Sequence, residues 1–151
     1  MAKTQTFVSP ENWYSLEYPR TWEMEVVEGI PSFFDGINPY GGVLQLLAAN
    51  LAGAANQELL THSPFLAGKD LGEKLMRFLS KQGVSDEAAR FFIRDNTEMG
   101  VCEYRLDGHF YLTLMAERAK VFVLALYNCK GDPDGEEAKL VGEILQSLVL
   151  L

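Results

Sequence analysis

An alternation of hydrophobic and polar residues near the N-terminus predicts the first strand. Residues 12–18 place two sets of side chains on opposite faces, with Tyr14, Leu16 and Tyr18 on one and Trp13, Ser15 and Glu17 on the other. A period of two that is rich in aromatic residues is typical of a strand. Pro19 has no amide hydrogen for a strand ladder and is expected to end it. Residues 23–28 resume the alternation, so we expect a hairpin with Trp22 packed beneath a turn at residues 19–21.

Two further strands are predicted on either side of a glycine-rich loop. A short strand at residues 32–35 contains Phe33 and Phe34. Residues 36–42 hold three glycines and one proline, which is typical of a connection between strands. Residues 43–51 are apolar in both alternation classes. This pattern predicts a strand that is covered on both faces.

The clearest helix is predicted after an irregular segment. Residues 52–70 lack a clear period, apart from a helical turn that we expect near residues 57–61. Asp70 can cap the next helix, and Glu73 can complete a capping box that satisfies free amides of the first turn. The apolar stripe consists of Leu71, Leu75, Phe78 and Leu79, and the residues expected to face away are Glu73, Lys74, Arg77 and Lys81. Gly83 is a natural end for this helix.

Four strands are predicted next, and a hairpin signal fixes the pairing of two of them. They are expected near residues 88–94, 100–106, 109–117 and 120–129, the first with Phe91 and Ile93 on one side. Asp107 and Gly108 are a strong signal for a two-residue hairpin turn, because both positions must adopt positive φ. A turn at this dipeptide pairs Cys102 with Thr113.

The last two of these strands determine the predicted fold class. Both are apolar at nearly every position, whereas antiparallel strands normally leave one polar face, so helices are expected on both sides of the sheet. A second helix is predicted to open at residues 132–134, with an apolar stripe of Val141, Ile144, Leu145, Leu148 and Val149. The sequence therefore predicts a single α+β domain over residues 1–151. Its expected architecture is a three-layer α/β/α sandwich around a mainly antiparallel sheet.

The order of these elements and three short motifs resemble the PsbP and Mog1 superfamily. The motifs are Tyr-Ser-Leu-Glu-Tyr-Pro at residues 14–19 followed by Trp22, Phe-Phe-Asp at residues 33–35, and Gly-Val-Leu-Gln-Leu at residues 42–46. The order of helices and strands is similar over nearly the whole chain, and the chain most resembles uncharacterised bacterial members of the superfamily. This resemblance implies an α/β/α sandwich around an antiparallel sheet.

The same resemblance implies a docking module. PsbP-like proteins attach to photosystem II in the thylakoid lumen, Mog1-like proteins bind the small GTPase Ran, and many bacterial relatives have no assigned role. This chain lacks a transit peptide and a lipoprotein cysteine near its start, so we expect no lumenal photosystem role. No Ran-contacting residue can be matched to a position of this sequence, and none is carried over.

Composition and charge narrow the classes of partner. The 151 residues are 48% hydrophobic and 23% charged, as in ordinary globular domains. The 21 acidic and 13 basic residues give a formal charge of −8, which repels phosphate backbones and anionic lipids. We therefore expect neither a nucleic acid nor a membrane as partner. The first ten residues lack an apolar run of signal-peptide length, and Cys102 and Cys129 form no disulfide framework, so a cytoplasmic location is expected.

The titratable residues form no recognisable catalytic or metal-binding pattern. His62 and His109 each lack a second ligand at the three-to-five-residue spacing of zinc sites. A turn at residues 118–119 would pair His109 with Asn128 and bring it near Cys129. The two side chains would face opposite sides of the sheet, so Cys129 is interpreted as a buried thiol. We expect no enzymatic activity, no catalytic residue, no metal and no cofactor.

Aromatic residues at strand and loop edges are the candidate binding residues. Trp13 and Tyr40 are candidates for exposed anchors, because protein interfaces are rich in Trp and Tyr. The favoured hypothesis is a non-enzymatic binding module that docks to a protein partner through loops or an acidic surface. The alternative is a domain that binds a small apolar ligand in a pocket near residues 52–70, between that segment and the sheet. The sequence defines neither the partner nor the oligomeric state.

Overall fold

The computed structural model describes residues 3–52 and 60–151. In these ranges the strands are β1 Thr4–Val8, β2 Tyr14–Pro19, β3 Trp22–Val27, β4 Ile30–Asp35, β5 Val43–Asn50, β6 Arg90–Arg94, β7 Thr97–Leu106, β8 His109–Arg118, β9 Val121–Lys130 and β10 Val149–Leu150. The helices are α1 Leu71–Lys81 and α2 Gly135–Gln146, with a short 3-10 helix at Pro64–Ala67. Residues 60–62 are also helical, whereas most of the helical turn expected near residues 57–61 lies outside the described residues.

The described strands form two sheets in which every pairing is antiparallel. One sheet has the order β1-β2-β10, and the other has the order β3-β4-β5-β9-β8-β7-β6. These pairings confirm an α+β fold with mainly antiparallel sheets. No helix in the described ranges is both long enough and apolar enough to span a membrane.

The first two predicted strands form as expected, but their predicted pairing is wrong. β2 pairs with β1 and β10, whereas β3 pairs with β4 in the other sheet. The turn at Arg20 and Thr21 therefore carries the chain from one sheet to the other. Arg20 fixes this corner because its backbone N–H donates to Lys3 O over 3.1 Å and its Nε donates to Thr4 O over 3.1 Å. These bonds hold the turn against β1, and Trp22 is buried directly after it.

The hairpin between β7 and β8 confirms the predicted register. Asp107 and Gly108 have φ values of 51° and 78°, and Cys102 lies opposite Thr113 as expected. The next turn differs from the prediction, because the residues with positive φ are Ala119 and Lys120. The pairing between β8 and β9 is consequently displaced by two residues. Neither Ala119 nor Lys120 is a residue type that marks such a turn in a sequence.

The new register changes the predicted neighbours of the histidine. His109 lies opposite Lys130 and not opposite Asn128, and Cys129 lies opposite Phe110. The displacement is an even number of residues, so each side chain stays on the face that alternation assigns to it. The pairing expected to bring His109 next to Asn128 is therefore wrong, whereas the inward orientation of Cys129 is correct, because this thiol is buried and free.

The buried side chains form two core clusters that share the central strands. Val123 and Ala125 of β9 belong to the first cluster, while Phe122 and Leu124 belong to the second. Helix α2 contributes Val141, Ile144 and Leu145 to the first cluster, and helix α1 contributes Leu71, Leu75 and Leu79 to the second. β9 is apolar at successive positions because each of its faces packs against a different cluster.

The amino-terminal end of α1 is capped by its own side chains. Asp70 Oδ1 accepts a hydrogen bond from Glu73 N over 2.8 Å, as the capping-box prediction requires. The carboxylate of Glu73 accepts from Lys69 N over 3.1 Å, one residue before the cap. Gly83 has a φ of 75° just beyond the helix, which agrees with its predicted role as a stop.

Lys74 was expected to face solvent, and that prediction is wrong. Its side chain is buried, and Nζ lies 2.8 Å from Oε1 of Glu117 on β8. The aliphatic part of a lysine side chain can pack along an apolar surface while its amine reaches a carboxylate. The helical periodicity of the sequence does not predict this kind of burial. The predicted stripe of α2 also ends early, because Leu148 is buried beyond the helix and Val149 is half exposed in β10.

Candidate functional site

β6 forms one outer edge of the seven-stranded sheet. Within the described residues it pairs only with β7, in a register that places Phe92 opposite Met99. The backbone N–H and C=O groups on its outer side consequently have no strand partner there. Such an edge can accept another strand unless the protein covers it or makes it unsuitable for pairing. The position of β6 in the sheet thus makes it a candidate binding element.

Three consecutive large apolar side chains are exposed on this edge. Phe91, Phe92 and Ile93 have exposed fractions of 53%, 42% and 74%. Single exposed apolar residues are ordinary, but a contiguous group on an edge is a known mark of interaction surfaces. We refer to the residues Arg90–Arg94 with their exposed apolar side chains as the β6 edge.

Gly100 allows the ring of Phe91 to lie close to the backbone of β7. A Cβ atom at Gly100 on β7 would lie 2.8 Å from Cε1 of Phe91, and one at Gly72 on α1 would lie 3.9 Å from its Cζ. The ring therefore occupies space that a side chain at Gly100 would take, and it reaches the first turn of α1. A strand glycine of this kind permits the close approach of another group.

A groove of about 610 Å³ runs between the β6 edge and the start of α1. Leu71 and Gly72 form its helical side, and Met99 lines it together with the exposed residues of β6. Two carboxylates also line the groove. Asp70 is the helix cap, and Glu98 lies opposite Ile93 in the strand ladder.

The two arginines of the β6 edge have different roles. Arg94 Nη2 donates to Leu145 O over 3.2 Å and to Leu148 O over 3.0 Å at the carboxyl end of α2. A cation at this end of a helix satisfies free carbonyl groups and interacts favourably with the helix dipole. Arg90 is exposed and forms no hydrogen bond or ion pair with the residues that the structure describes. It is therefore the available cation of this edge.

The opposite edge of the same sheet, formed by β3, differs from β6 in its charged side chains. β3 carries Glu23 and Glu25 on its exposed face, and Met24 between them packs against the first core cluster. β6 carries two arginines and no acidic residue, in a chain with a formal charge of −8. Both edges expose apolar side chains, with Val26 and Val27 of β3 57% and 44% exposed, but the two edges differ in charge.

The two predicted binding residues lie outside the β6 edge. Tyr40 is 90% exposed in the loop between β4 and β5, as its assignment as a surface anchor requires. Trp13 is partly buried and packs against the first core cluster. Their role in binding stays a prediction. The β6 edge escaped the sequence analysis because Phe-Phe-Ile has the same apolar pattern as a buried strand.

His109 and Cys129 lie on opposite faces of the sheet, as the sequence analysis expects, because Cys129 pairs with Phe110 and not with His109. His109 is half-buried, and its Nδ1 has no hydrogen-bond partner in the part of the chain that the structure describes. The ring centroids of His109 and Tyr111 are 6.3 Å apart. Cys129 lies opposite Phe110, the residue after His109 in β8. In residues 3–52 and 60–151, no group of three or more His, Cys, Asp or Glu side chains is arranged to hold a metal ion.

Glu137 is a buried carboxylate that the sequence analysis did not single out. Its Oε2 accepts hydrogen bonds from Gly42 N over 2.8 Å and from the hydroxyl of Tyr127, and its Oε1 has no hydrogen-bond partner among residues 3–52 and 60–151. Burial and the hydrogen bond to Glu137 raise the pKa of Tyr127. These contacts join the start of α2 to the loop between β4 and β5, so the carboxylate acts as a structural link.

A second surface cavity lies partly in the region of the predicted ligand pocket. It measures about 390 Å³ and is formed by the 3-10 helix and the outer side of α1. His62, Phe65, Phe78 and Lys81 contribute to its walls. It differs from the predicted pocket because it lies beside α1 and not between the segment and the sheet. Residues 53–59 of the predicted pocket region lie outside the described residues.

Two solved structures establish what this chain resembles. The cyanobacterial PsbP (CyanoP) from Synechocystis matches with a TM-score of 0.63 and 15% identity, over 100% of this chain and 94% of CyanoP. A protein from Bacteroides thetaiotaomicron matches with a TM-score of 0.60 and 18% identity, over 97% of this chain and 48% of that protein. This chain thus spans about half of the Bacteroides protein. No protein-family model and no curated protein matches the chain. The matches confirm the PsbP-like fold.

Proposed function

We propose that this chain is a non-enzymatic protein-binding domain that docks a partner at the β6 edge. The observation that carries the proposal is the exposure of Phe91, Phe92 and Ile93, side by side on an unpaired edge strand. Natural proteins usually shorten, charge or cover such edges to prevent unwanted pairing. A partner that covers this edge would remove the three side chains from water. Each would then contribute a hydrophobic term of roughly 25 cal/mol per Å² of buried apolar surface.

The proposed architecture behind this surface is a three-layer α/β/α sandwich. Its support is the division of the core into two clusters, one that includes α1 and one that includes α2. In such an arrangement the broad faces of the central strands are used for packing. The edges and loops of the sheet are then the parts left for a partner.

The classes of partner follow from charge. The formal charge of −8 disfavours nucleic acids and anionic membranes, and this leaves a protein as the proposed partner. The proposed location is the cytoplasm. Both cysteines, Cys102 and Cys129, are free and buried, as expected for a protein of a reducing compartment.

Substitution of one exposed residue tests the docking proposal. Ile93→Asp places a charge in the middle of the β6 edge, where the side chain is 74% exposed and contributes little to folding. The matched control is Ile37→Asp in the loop between β4 and β5, where Ile37 is 80% exposed. A partner captured with the wild-type chain is purified, and its affinity is measured by calorimetry. We expect a loss of roughly tenfold or more for Ile93→Asp and almost none for Ile37→Asp.

Equal affinities for the two variants would contradict docking at the β6 edge. Circular dichroism melting of each variant checks that both remain folded. If Tyr40→Ala weakens the complex while Ile93→Asp does not, the partner binds at the loop predicted from the sequence.

A second candidate function is the binding of a small apolar ligand beside α1. The observation that favours it is the cavity of about 390 Å³, a volume within the range of ligand sites. Phe65 and Phe78 meet edge to face there with ring centroids 5.2 Å apart. The probe 1-anilinonaphthalene-8-sulfonate distinguishes the two candidates. Fluorescence that falls in Phe78→Ala and persists in Ile93→Asp would favour the cavity over the β6 edge.

A further inference from the structure

We infer that the segment recognised at the β6 edge is an extended, mainly apolar strand of the partner, added antiparallel to β6 with one carboxylate opposite Arg90. This inference rests on the proposed docking function and specifies what the partner presents. It follows from the two faces of β6, from its open backbone groups and from the different roles of its two arginines.

Both faces of β6 expose apolar side chains. Phe91 points toward α1, because its ring lies next to Gly72. Arg94 points toward α2, where it binds the helix carbonyl groups. Since side chains alternate along a strand, Ile93 shares the α1 face with Phe91, and Phe92 shares the α2 face with Arg94. A partner must therefore cover apolar groups on two opposite faces.

A strand meets this requirement better than a helix. The side chains of an added strand also alternate, so one strand covers Phe92 on one face and Ile93 on the other. A helix presents a single stripe and would cover only one face. The five residues of β6 span about 17 Å, which matches a short peptide strand. The outer backbone groups of β6 then gain hydrogen bonds, as in other cases of strand addition.

The charge of the partner strand follows from the two arginines. Arg94 is held by the carbonyl groups of Leu145 and Leu148, whereas Arg90 forms no ion pair among the described residues. Asp86, Glu103 and Arg90 all act electrostatically on the Cys102 thiol, and neither carboxylate forms an ion pair with Arg90. Opposite charges on directly paired residues stabilise a sheet, so an acidic residue opposite Arg90 is favoured.

A second copy of this chain is a poorer occupant. The two-fold antiparallel register that pairs all five residues of β6 is centred on Phe92, and it would place Arg90 of each copy opposite Arg94 of the other. Like charges directly opposite each other destabilise paired strands. The same geometry gives the order of the partner sequence. In an antiparallel strand, the residues opposite Ile93, Phe92 and Phe91 come first and the residue opposite Arg90 follows, so the expected motif is three apolar residues followed by Asp or Glu.

A random dodecapeptide library displayed on phage tests this inference against the full chain. Selection on the wild-type chain, with removal of phage that also bind Ile93→Asp, should enrich three apolar residues followed by an acidic one. A synthetic peptide of the enriched sequence should lose roughly fivefold in affinity for Arg90→Glu, and a Lys in place of its acidic residue should restore binding to that variant. Methylation of alternate peptide amides should abolish binding, because it removes the ladder hydrogen bonds.

Arg94→Gln is the matched control. It should lower the stability of the chain while leaving the preference for an acidic residue unchanged. Enriched peptides with apolar residues at helical spacing, or with no acidic preference, would overturn the strand inference while leaving docking at β6 intact. A dimer that Ile93→Asp dissociates in sedimentation experiments would also overturn it, because a second copy would then be the occupant. If this selection enriches no peptide, so that none depends on Ile93, both the inference and the docking proposal fail.

Discussion

At the scale of residues, buried polar side chains bind elements together in ways that periodicity does not reveal. Lys74 crosses from α1 to Glu117 on β8, and Glu137 links α2 to Gly42 and Tyr127. Each buried charge or donor needs a partner, because an unpaired one costs several times what a satisfied one contributes. These contacts fix the positions of both helices relative to the sheet.

The free energy of unfolding should depend on the presence of both Lys74 and Glu117. Lys74→Met leaves the carboxylate of Glu117 without its cation. The side chain of Glu117 is only 22% exposed, so water can compensate little for the lost contact. We expect a loss of about 2 kcal/mol in the free energy of unfolding, measured by urea denaturation. The double variant Lys74→Met, Glu117→Leu should recover to within about 1 kcal/mol of the wild type. A double variant that loses the sum of both single changes would show that the pair is not coupled.

The buried tyrosines predict a loss of stability at alkaline pH. Burial raises the pKa of Tyr14, and burial together with the hydrogen bond to Glu137 raises the pKa of Tyr127. Above pH ~10 the unfolded chain releases these protons while the folded chain keeps them, so the free energy of unfolding falls as pH rises. Tyr127→Phe should reduce this slope by up to about 1.4 kcal/mol per pH unit. An unchanged slope in denaturation curves at several alkaline pH values would contradict the assignment.

At the scale of elements, turns and edges decide how strands are used. The turn at Asp107 and Gly108 is visible in the sequence because these residue types favour positive φ. The turn at Ala119 and Lys120 has the same geometry without those residue types. Its position is set by the pairing of β8 with β9, in which Arg118 lies opposite Val121.

The observed turn predicts a stabilising substitution. Ala119→Asn together with Lys120→Gly supplies residues that accept positive φ, and Leu51 N can still donate to the backbone oxygen of residue 120. We expect a gain of about 1 kcal/mol in the free energy of unfolding, seen as a raised melting temperature. The same two residue types at positions 118–119 should destabilise, because Arg118 Nη1 donates to Leu150 O over 3.2 Å. The reverse order of stabilities would favour the turn expected from the sequence.

At the scale of the whole molecule, the central strands separate two hydrophobic clusters. Leu75 of α1 is fully buried in one cluster, and Ile144 of α2 is fully buried in the other. Two cores without shared side chains should respond to substitutions almost independently. Because each cluster has its own helix, we expect the sheet between them to transmit little of a local loss in packing.

Additivity of two core substitutions tests this division. Leu75→Ala and Ile144→Ala should each cost about 2–5 kcal/mol in the free energy of unfolding, because each leaves a cavity in a packed core. The double variant should lose the sum of the two to within about 0.5 kcal/mol. The combined loss can approach the total free energy of unfolding of the chain. All three variants are therefore made in a chain that also carries Ala119→Asn and Lys120→Gly. A coupling above about 1 kcal/mol would indicate a single shared core.

The sequence by itself determined the local elements and their inward faces. The strand at Tyr14–Pro19, the cap at Asp70 and the register from Asp107 are each set by neighbours within a few residues, so pattern and turn chemistry suffice. The order of the predicted helices and strands also led to the resemblance to PsbP-like proteins, and the structural match confirms that fold.

Except where a turn is recognisable in the sequence, as between β7 and β8, the tertiary structure alone decided which elements are neighbours. Phe-Phe-Ile of β6 and Val-Phe-Val of β9 have the same apolar pattern, yet the first lies at an open edge and the second at the centre of the sheet. Periodicity reports the pattern of a strand but not the number of strands beside it. The separation of β2 from β3, the burial of Lys74 and the exposed β6 edge all depend on contacts between distant residues, which is why only the folded chain revealed them.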